Sequence, residues 1–257
     1  MLNKVIELAR KAGFATLEFY TKDMDVTSKK DDSPLTKADL ASHYIIVDGL
    51  RELTPNIPII SEESGVPDYE VRKKWTQFWM VDPLDGTKEF IKRNDEFTVN
   101  IALIENGVPT LGVVYAPALD LLYYGERGVG SFKKVKNSEV RQLDRQPFQK
   151  SGKARIVVSR SHGDDTTAKK LESIGIEVIE EVPSGSSIKF CLVAEGKADI
   201  YPRLGPTMEW DTAAADAVYR YSIKEGEKSS PLVYNKKNLL NPYFVLGLEE
   251  KIAAESL

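Results

Sequence analysis

Residues 78 to 87 read F-W-M-V-D-P-L-D-G-T, an apolar run that ends abruptly in two carboxylates, a proline and a glycine. Such a run bounded by turn formers predicts a buried strand, so this chain must carry Asp82 and Asp85 straight out of a core. Pro83 and Gly86 suit a sharp turn that aims both acids into one space. A second short run, Ile57 to Ile60, also predicts a buried strand and leads into Glu62 and Glu63. If the strands are neighbours, four carboxylates meet. Two like charges about 4 Å apart at an effective dielectric near 20 repel by roughly 4 kcal/mol. The cluster therefore needs protons or cations to neutralise it. Oxygen-only donors favour a hard ion such as Mg²⁺, with the Leu84 carbonyl as one more oxygen and Asp211, in E-W-D-T-A-A, arriving from far along the chain.

Each acid also has an ordinary reading. Carboxylates after a strand often face solvent, Asp211 ahead of an Ala-rich helix suits an N-cap, and Thr36 with Asp39 makes a capping box. The D-P-L-D-G-T string is a poor generic loop and a good ion site. Other metals are disfavoured, because a single cysteine, Cys191, and two histidines, His43 and His162, leave no Cys- or His-rich cluster. The 35 basic and 39 acidic side chains give a net charge of −4, which argues against a nucleic-acid partner or a polybasic membrane anchor. The opening M-L-N-K-V-I-E-L-A-R lacks a signal peptide's apolar run, and no stretch of roughly 18 apolar residues predicts a transmembrane segment. The expectation is a reduced, soluble, cytoplasmic protein. Loose association with the cytoplasmic face of the inner membrane and the oligomeric state stay open.

The pattern predicts helices over 2–20 and from Thr36, the latter with Leu40, Tyr44, Val47 and Leu50 on one face. A hairpin is predicted from Phe97 to Tyr115 around Asn106-Gly107, followed by strands at 121–124 and 130–135. Residues 137–153 are polar and read as the junction between an N-terminal α+β half (1–150), carrying most of the metal ligands, and a C-terminal α/β half (151–257). Beyond it come a strand at 155–159, a helix at 164–174, a strand at 176–179, a helix at 187–195, a strand at 198–201 and a helix at 211–221. This alternation indicates layered α/β architecture.

An acidic pair (Glu62-Glu63), then D-P-L-D-G-T (82–87), then a distant W-D (Trp210-Asp211) before a small-residue helix resembles the lithium-sensitive, magnesium-dependent phosphatase superfamily of the inositol monophosphatases and fructose-1,6-bisphosphatases. Segments 81–91, 97–102, 159–162, 185–190 and 201–203 are most similar to its bacterial 3′(2′),5′-bisphosphate nucleotidase branch. Ala215 and Glu209 depart from the pattern without removing a ligand. The resemblance implies an α/β (α+β) fold, a layered α/β/α/β/α sandwich with the site between its halves. It implies two or three Mg²⁺ ions held by Glu62, Asp82, Asp85, Asp211 and the Leu84 carbonyl, with Glu63 as support. Asp39 and Thr87 would pair to orient and deprotonate the attacking water.

The implied substrate is a small phosphate ester, adenosine 3′,5′-bisphosphate, with its sulfated analogue as a second substrate, linked to sulfur metabolism. Gly185 to Lys189 opens a predicted helix, and its free N–H groups, with Ser186, Ser187 and Lys189, form an anion seat. With Arg203 this seat would hold the uncleaved phosphate, while Ser159 and His162 lie near the base or ribose; Glu62, Leu84, Asp85, Gly86, Thr87 and Asp211 complete the substrate contacts. Lys189, Arg203 and His162 each also read as ordinary surface residues. Three rivals remain: an inositol monophosphatase; an aspartate-nucleophile phosphatase, whose motif has one residue between its acids where Asp82 and Asp85 have two; and a non-catalytic nucleotide- or cation-binding module.

Overall fold

The computed structural model describes residues 1–20, 34–146, 152–160, 169, 171–223 and 230–248. Helix α1 (Leu2–Tyr20) buries Val5, Ala9 and Ala12 at helical spacing, and α2 (Pro34–Leu53) packs beside it. α2 opens at Pro34 rather than Thr36, since a proline without an N–H suits the first turn. Its buried stripe is His43, Ile46, Val47 and Leu50. Tyr44, expected on that face, is 59% exposed, because it follows His43 by about 100° around the helix.

Both helices lie on one face of a seven-stranded sheet in simple sequence order. β1 (Ile59–Ser61) runs parallel to β2 (Gln77–Asp85); the short helix α3 (Tyr69–Arg72) lies between them. β2 pairs antiparallel with β3 (Thr98–Glu105), β3 with β4 (Val108–Ala116), and so on through β5 (Leu121–Glu126) and β6 (Gly130–Val135) to β7 (Arg141–Leu143). The Asn106-Gly107 turn joins β3 to β4 with φ of 50° and 77°, as a two-residue hairpin requires. β7 falls inside the stretch expected to be irregular. Backbone pairing to the edge of β6 makes that polar segment a strand, and period-2 hydrophobicity gives no sign of it.

The sheet is covered on both faces, which explains its unbroken apolar runs. Trp79, Val81, Val99, Ile101 and Leu103 pack with Val5, Ala9, Ile46 and Leu50. The alternate residues Phe78, Met80, Ala102 and Ile104 pack with Ala213, Ala214 and Val218. Those last three belong to α6 (Glu209–Arg220), which crosses the far face over β2 to β6. α5 (Ile188–Ala194) packs on α6 and on β8 (Lys153–Ser159). β8 pairs in parallel with β9 (Glu177–Ser184), which extends five residues beyond the predicted strand end. The layers are thus α1/α2, large sheet, α5/α6 and the β8–β9 pair.

The predicted helix at 164–174 lies mostly outside the described residues, although 171–173 are helical. The strand predicted at 198–201 is shifted to β10 (Tyr201–Arg203), paired with β11 (Phe244–Leu246), which the sequence pattern did not reveal. The principal core cluster draws on both sides of residue 150.

Candidate functional site

β2 is the element that fixes the site. Even-numbered residues of this strand face α6, so the parity that buries Phe78 and Met80 sends Asp82 to the same side. Regular pairing with β3 then breaks between Asp82 and Asp85, and the intervening residues fold into a turn in which Asp82 Oδ1 accepts the Leu84 N–H at 3.1 Å. α2 holds this turn from outside, with Ser42 Oγ donating to the Pro83 carbonyl at 2.7 Å. Gly86, at φ 95°, passes so close to Phe97 and Ser186 that an added Cβ would come within 3.2 Å of each. A left-handed residue with no side chain is needed there.

Around the turn is a cleft of about 300 Å³ lined by Glu62, Asp82, Leu84, Asp85, Gly86, Thr87, Ser159, Ser186, Lys189, Arg203 and Asp211, and also by Lys88 and Glu89. Eleven of the sequence-predicted residues are therefore brought together by the fold. Ser187 sits behind them, its hydroxyl 2.8 Å from Asp85 Oδ2 and from the Asp211 carbonyl. Asp211 is the third residue of α6, and Oδ2 accepts the Met208 N–H at 2.9 Å. It serves as a helix-end cap while facing the cleft, so its two readings coexist. His162 lies outside the described residues.

Asp39 approaches from α2 against Glu62 and Glu63. Its Oδ1 is buried and has no hydrogen-bond partner among the described residues, so the expected pairing with Thr87 is not closed through that atom. Thr87 is exposed at the start of α4 (Thr87–Lys92). One other expectation and one alternative reading need correction. The Gly185 N–H is not free for an anion, because Glu96 Oε2 accepts it at 2.8 Å. Lys189 is no solvated helix residue: it is 7% exposed, on a helix only seven residues long, so the cation itself is what faces the cleft.

The acids push one another's protonation upward. Burial raises Asp82 well above the usual carboxylate range, reinforced by Asp85, Glu62 and Asp211. Burial brings Asp211 up to about 7, with Asp85 adding to the shift, and Asp39 up to about 8, with Glu63 and Glu62 adding to it. Burial also raises Asp85, opposed chiefly by Lys189. Lys189 is itself lowered by burial to about 8, with Asp85 pulling it back up. Among the described residues, no three His, Cys, Asp or Glu side chains are already drawn tightly enough together to grip an ion. The donor chemistry nevertheless fits a hard cation. All donors are oxygens, Asp39 Oδ1 has no partner among the described residues, and the carboxylates are held close enough to repel.

Some contributors went unassigned in the sequence. Thr98 Oγ1 lies 3.1 Å from Ser186 Oγ, and Asn100 Nδ2 donates to Ser187 Oγ at 2.8 Å. Both sit on the even face of β3, a polar interruption of an otherwise apolar strand that was the signal available. Glu209 points away from the cleft: fully buried, it accepts the Asn235 and Lys236 N–H groups at 2.6 and 3.0 Å and the Lys236 ammonium at 2.6 Å.

Residues 1–220 match the family model described as the inositol monophosphatase family. The chain belongs to the inositol monophosphatase family. Within that family it is 48% identical over 256 residues to the 3′(2′),5′-bisphosphate nucleotidase CysQ of Escherichia coli strain K12, covering 96% of this chain and all of the relative. The protein of the same name from Salmonella typhimurium is 52% identical over 223 residues, covering 85% of this chain and 86% of that one. The crystal structure of CysQ from Bacteroides thetaiotaomicron, described as a bacterial member of the inositol monophosphatase family, superimposes with a TM-score of 0.81 at 43% identity, covering 96% and 97% of the two chains.

Proposed function

We propose that this chain hydrolyses the 3′-phosphate of adenosine 3′,5′-bisphosphate to AMP and inorganic phosphate, acts on the sulfated analogue in the same way, and serves sulfur assimilation in the cytoplasm. The observation that carries the reading is one cleft holding an all-oxygen acidic cluster beside a buried ammonium and a guanidinium, Lys189 and Arg203. That pairing suits an ester with two phosphates, one to cleave and one to hold. Relatives named 3′(2′),5′-bisphosphate nucleotidase at 48–52% identity support the substrate class.

Magnesium dependence is a general property of the family. In our reading Glu62, Asp82, Asp85, Asp211 and the Leu84 carbonyl hold two or three ions. When bound, Mg²⁺ supplies the positive charge that offsets these carboxylates and polarises the phosphoryl group. Thr87 takes a proton from the attacking water and passes its own to Asp39. Asp39 can accept it only when the field of Glu63 and Glu62 is compensated, because burial and that field otherwise keep it protonated near neutral pH. Lys189, Arg203 and Ser186 receive the retained phosphate through side chains, and Ser159 faces the nucleoside. The 1–150 half carries most of the acids, while the 151–257 half closes the cleft.

Phosphate release from adenosine 3′,5′-bisphosphate tests this reading. Turnover should require Mg²⁺, fall when Li⁺ is added, and exceed turnover of inositol monophosphate. Binding without phosphate release would indicate a non-catalytic module, and a trapped aspartyl-phosphate would indicate an aspartate nucleophile.

A further inference from the structure

Approaching β3 and along it, residues 96, 98 and 100 share one face, and each meets one of three consecutive residues in the turn before α5. Glu96 accepts from the Gly185 N–H, Thr98 contacts Ser186, and Asn100 donates to Ser187. The turn needs such holding. Ser186 is at φ 42°, a left-handed conformation that a residue with a Cβ keeps only when its surroundings impose it. Gly185 fits without slack: an added Cβ would lie 2.6 Å from Glu89 Cγ and 3.1 Å from Glu96 Cβ.

Among the described residues, Glu96 differs from the other two in that its side chain has a second partner. Both its oxygens accept from Arg160, Nε and Nη2, each at 2.7 Å, and Arg160 also donates to the Pro183 carbonyl at 3.2 Å. A two-pronged arginine–carboxylate pair fixes direction as well as distance. One carboxylate therefore ties the approach to β3, the residue after β8 and the turn carrying Ser186 into a single unit. Ser159, adjacent to Arg160, and Lys189, four residues after Gly185, line the cleft, whereas Glu96 does not.

We infer that Glu96 is a positioning residue that sets where the substrate's retained phosphate is held, by locking the Gly185–Ser187 turn and with it Lys189. This rests on the reading that Ser186, Lys189 and Arg203 receive that phosphate. Charge alone would act in the opposite sense, since removing a carboxylate near Lys189 would make the cleft more attractive to an anion. The sign of the effect therefore separates positioning from electrostatics.

The experiment compares the parent protein with Glu96→Ala, Glu96→Gln and Arg160→Ala. Each is assayed with Mg²⁺ on adenosine 3′,5′-bisphosphate and on p-nitrophenyl phosphate, which has no second phosphate, and AMP binding is titrated calorimetrically. Glu96→Ala should raise the bisphosphate KM and the AMP Kd about tenfold, the size of a lost hydrogen bond to a charged group. Its kcat, and kcat/KM for p-nitrophenyl phosphate, should stay within about twofold of the parent. Glu96→Gln, which keeps an acceptor for Gly185, should recover most of the loss. Equal losses on both substrates, or unchanged or tighter AMP binding, would overturn the inference. If Glu96→Ala does not fold, Arg160→Ala decides, with AMP binding expected to weaken and p-nitrophenyl phosphate turnover to hold. A parent that cleaves p-nitrophenyl phosphate and not the bisphosphate would sink the functional reading, while its AMP titrations would still judge Glu96.

Discussion

At the scale of single residues, the proposed function depends on which carboxylates hold charge and which move a proton. Asp39→Asn and Thr87→Ala should each lower kcat by about two orders of magnitude, within the usual range for general acid–base catalysis. Mg²⁺ affinity should change little, since neither residue is assigned as a ligand; near-parental turnover would remove the proton-relay role. Asp82→Asn and Asp211→Asn should instead weaken Mg²⁺ binding, read by calorimetric titration. The raised carboxyls add a pH signature. Asp211 at about 7 and Asp39 at about 8 carry protons in the ion-free protein near neutrality. With Asp211 as a ligand, Mg²⁺ should displace protons, and its affinity should rise with pH through that range. Titrations at pH 7 in two buffers of different ionisation enthalpy should give different apparent heats; equal heats would show that no proton leaves. Glu209, a departure from the family pattern beside Trp210 and Asp211, has a structural task instead: its carboxylate holds the 235–236 backbone.

Among the elements, α6 carries the most consequence. Its alanines are a packing requirement, because the helix lies almost on the backbone of the sheet. A Cβ added at Gly112 on β4 would come within 2.2 Å of the Ala214 carbonyl, and one at Gly125 on β5 within 2.8 Å of the Ala217 carbonyl. Ala215, one of the two departures from the family pattern, is itself fully buried in this layer. Gly112→Ala should destabilise the protein by about 1–3 kcal/mol, the usual scale of overpacking, read as a lowered denaturation midpoint. Because the same helix carries Asp211 at its start, lifting it should also weaken Mg²⁺ binding; an unchanged midpoint would show that the contact relaxes freely. The β3–β4 hairpin was legible because Asn-Gly between two apolar runs has few alternatives. β7, β11 and the register of β10 were not, because edge pairing of short polar or isolated segments leaves no period in the sequence.

Over the whole molecule, the acidic cleft should make stability depend on pH and on cations. These carboxyls have folded-state values above those of an unfolded chain, so their contribution is fully present in acid and lost as pH rises through the folded values. For Asp211 and Asp39 the window runs from about 4 to about 8. The ion-free protein should therefore lose stability across that window, and Mg²⁺ should raise its Tm more at pH 8 than at pH 6. A larger shift at pH 6 would contradict the assignment of Asp211 to the ion site. Among the described residues no helix is long and apolar enough to cross a membrane. The sequence by itself determined the acidic turn, its oxygen-only donors and the strand that delivers it, because sharp turns and strand parity are local and leave their mark within a few residues. Only the tertiary structure decided that Gly185 donates to Glu96, that Lys189 is buried beside Asp85 and that Ser187 stands behind the acids. Each depends on which segment packs opposite, a relation between residues tens of positions apart that no local pattern encodes.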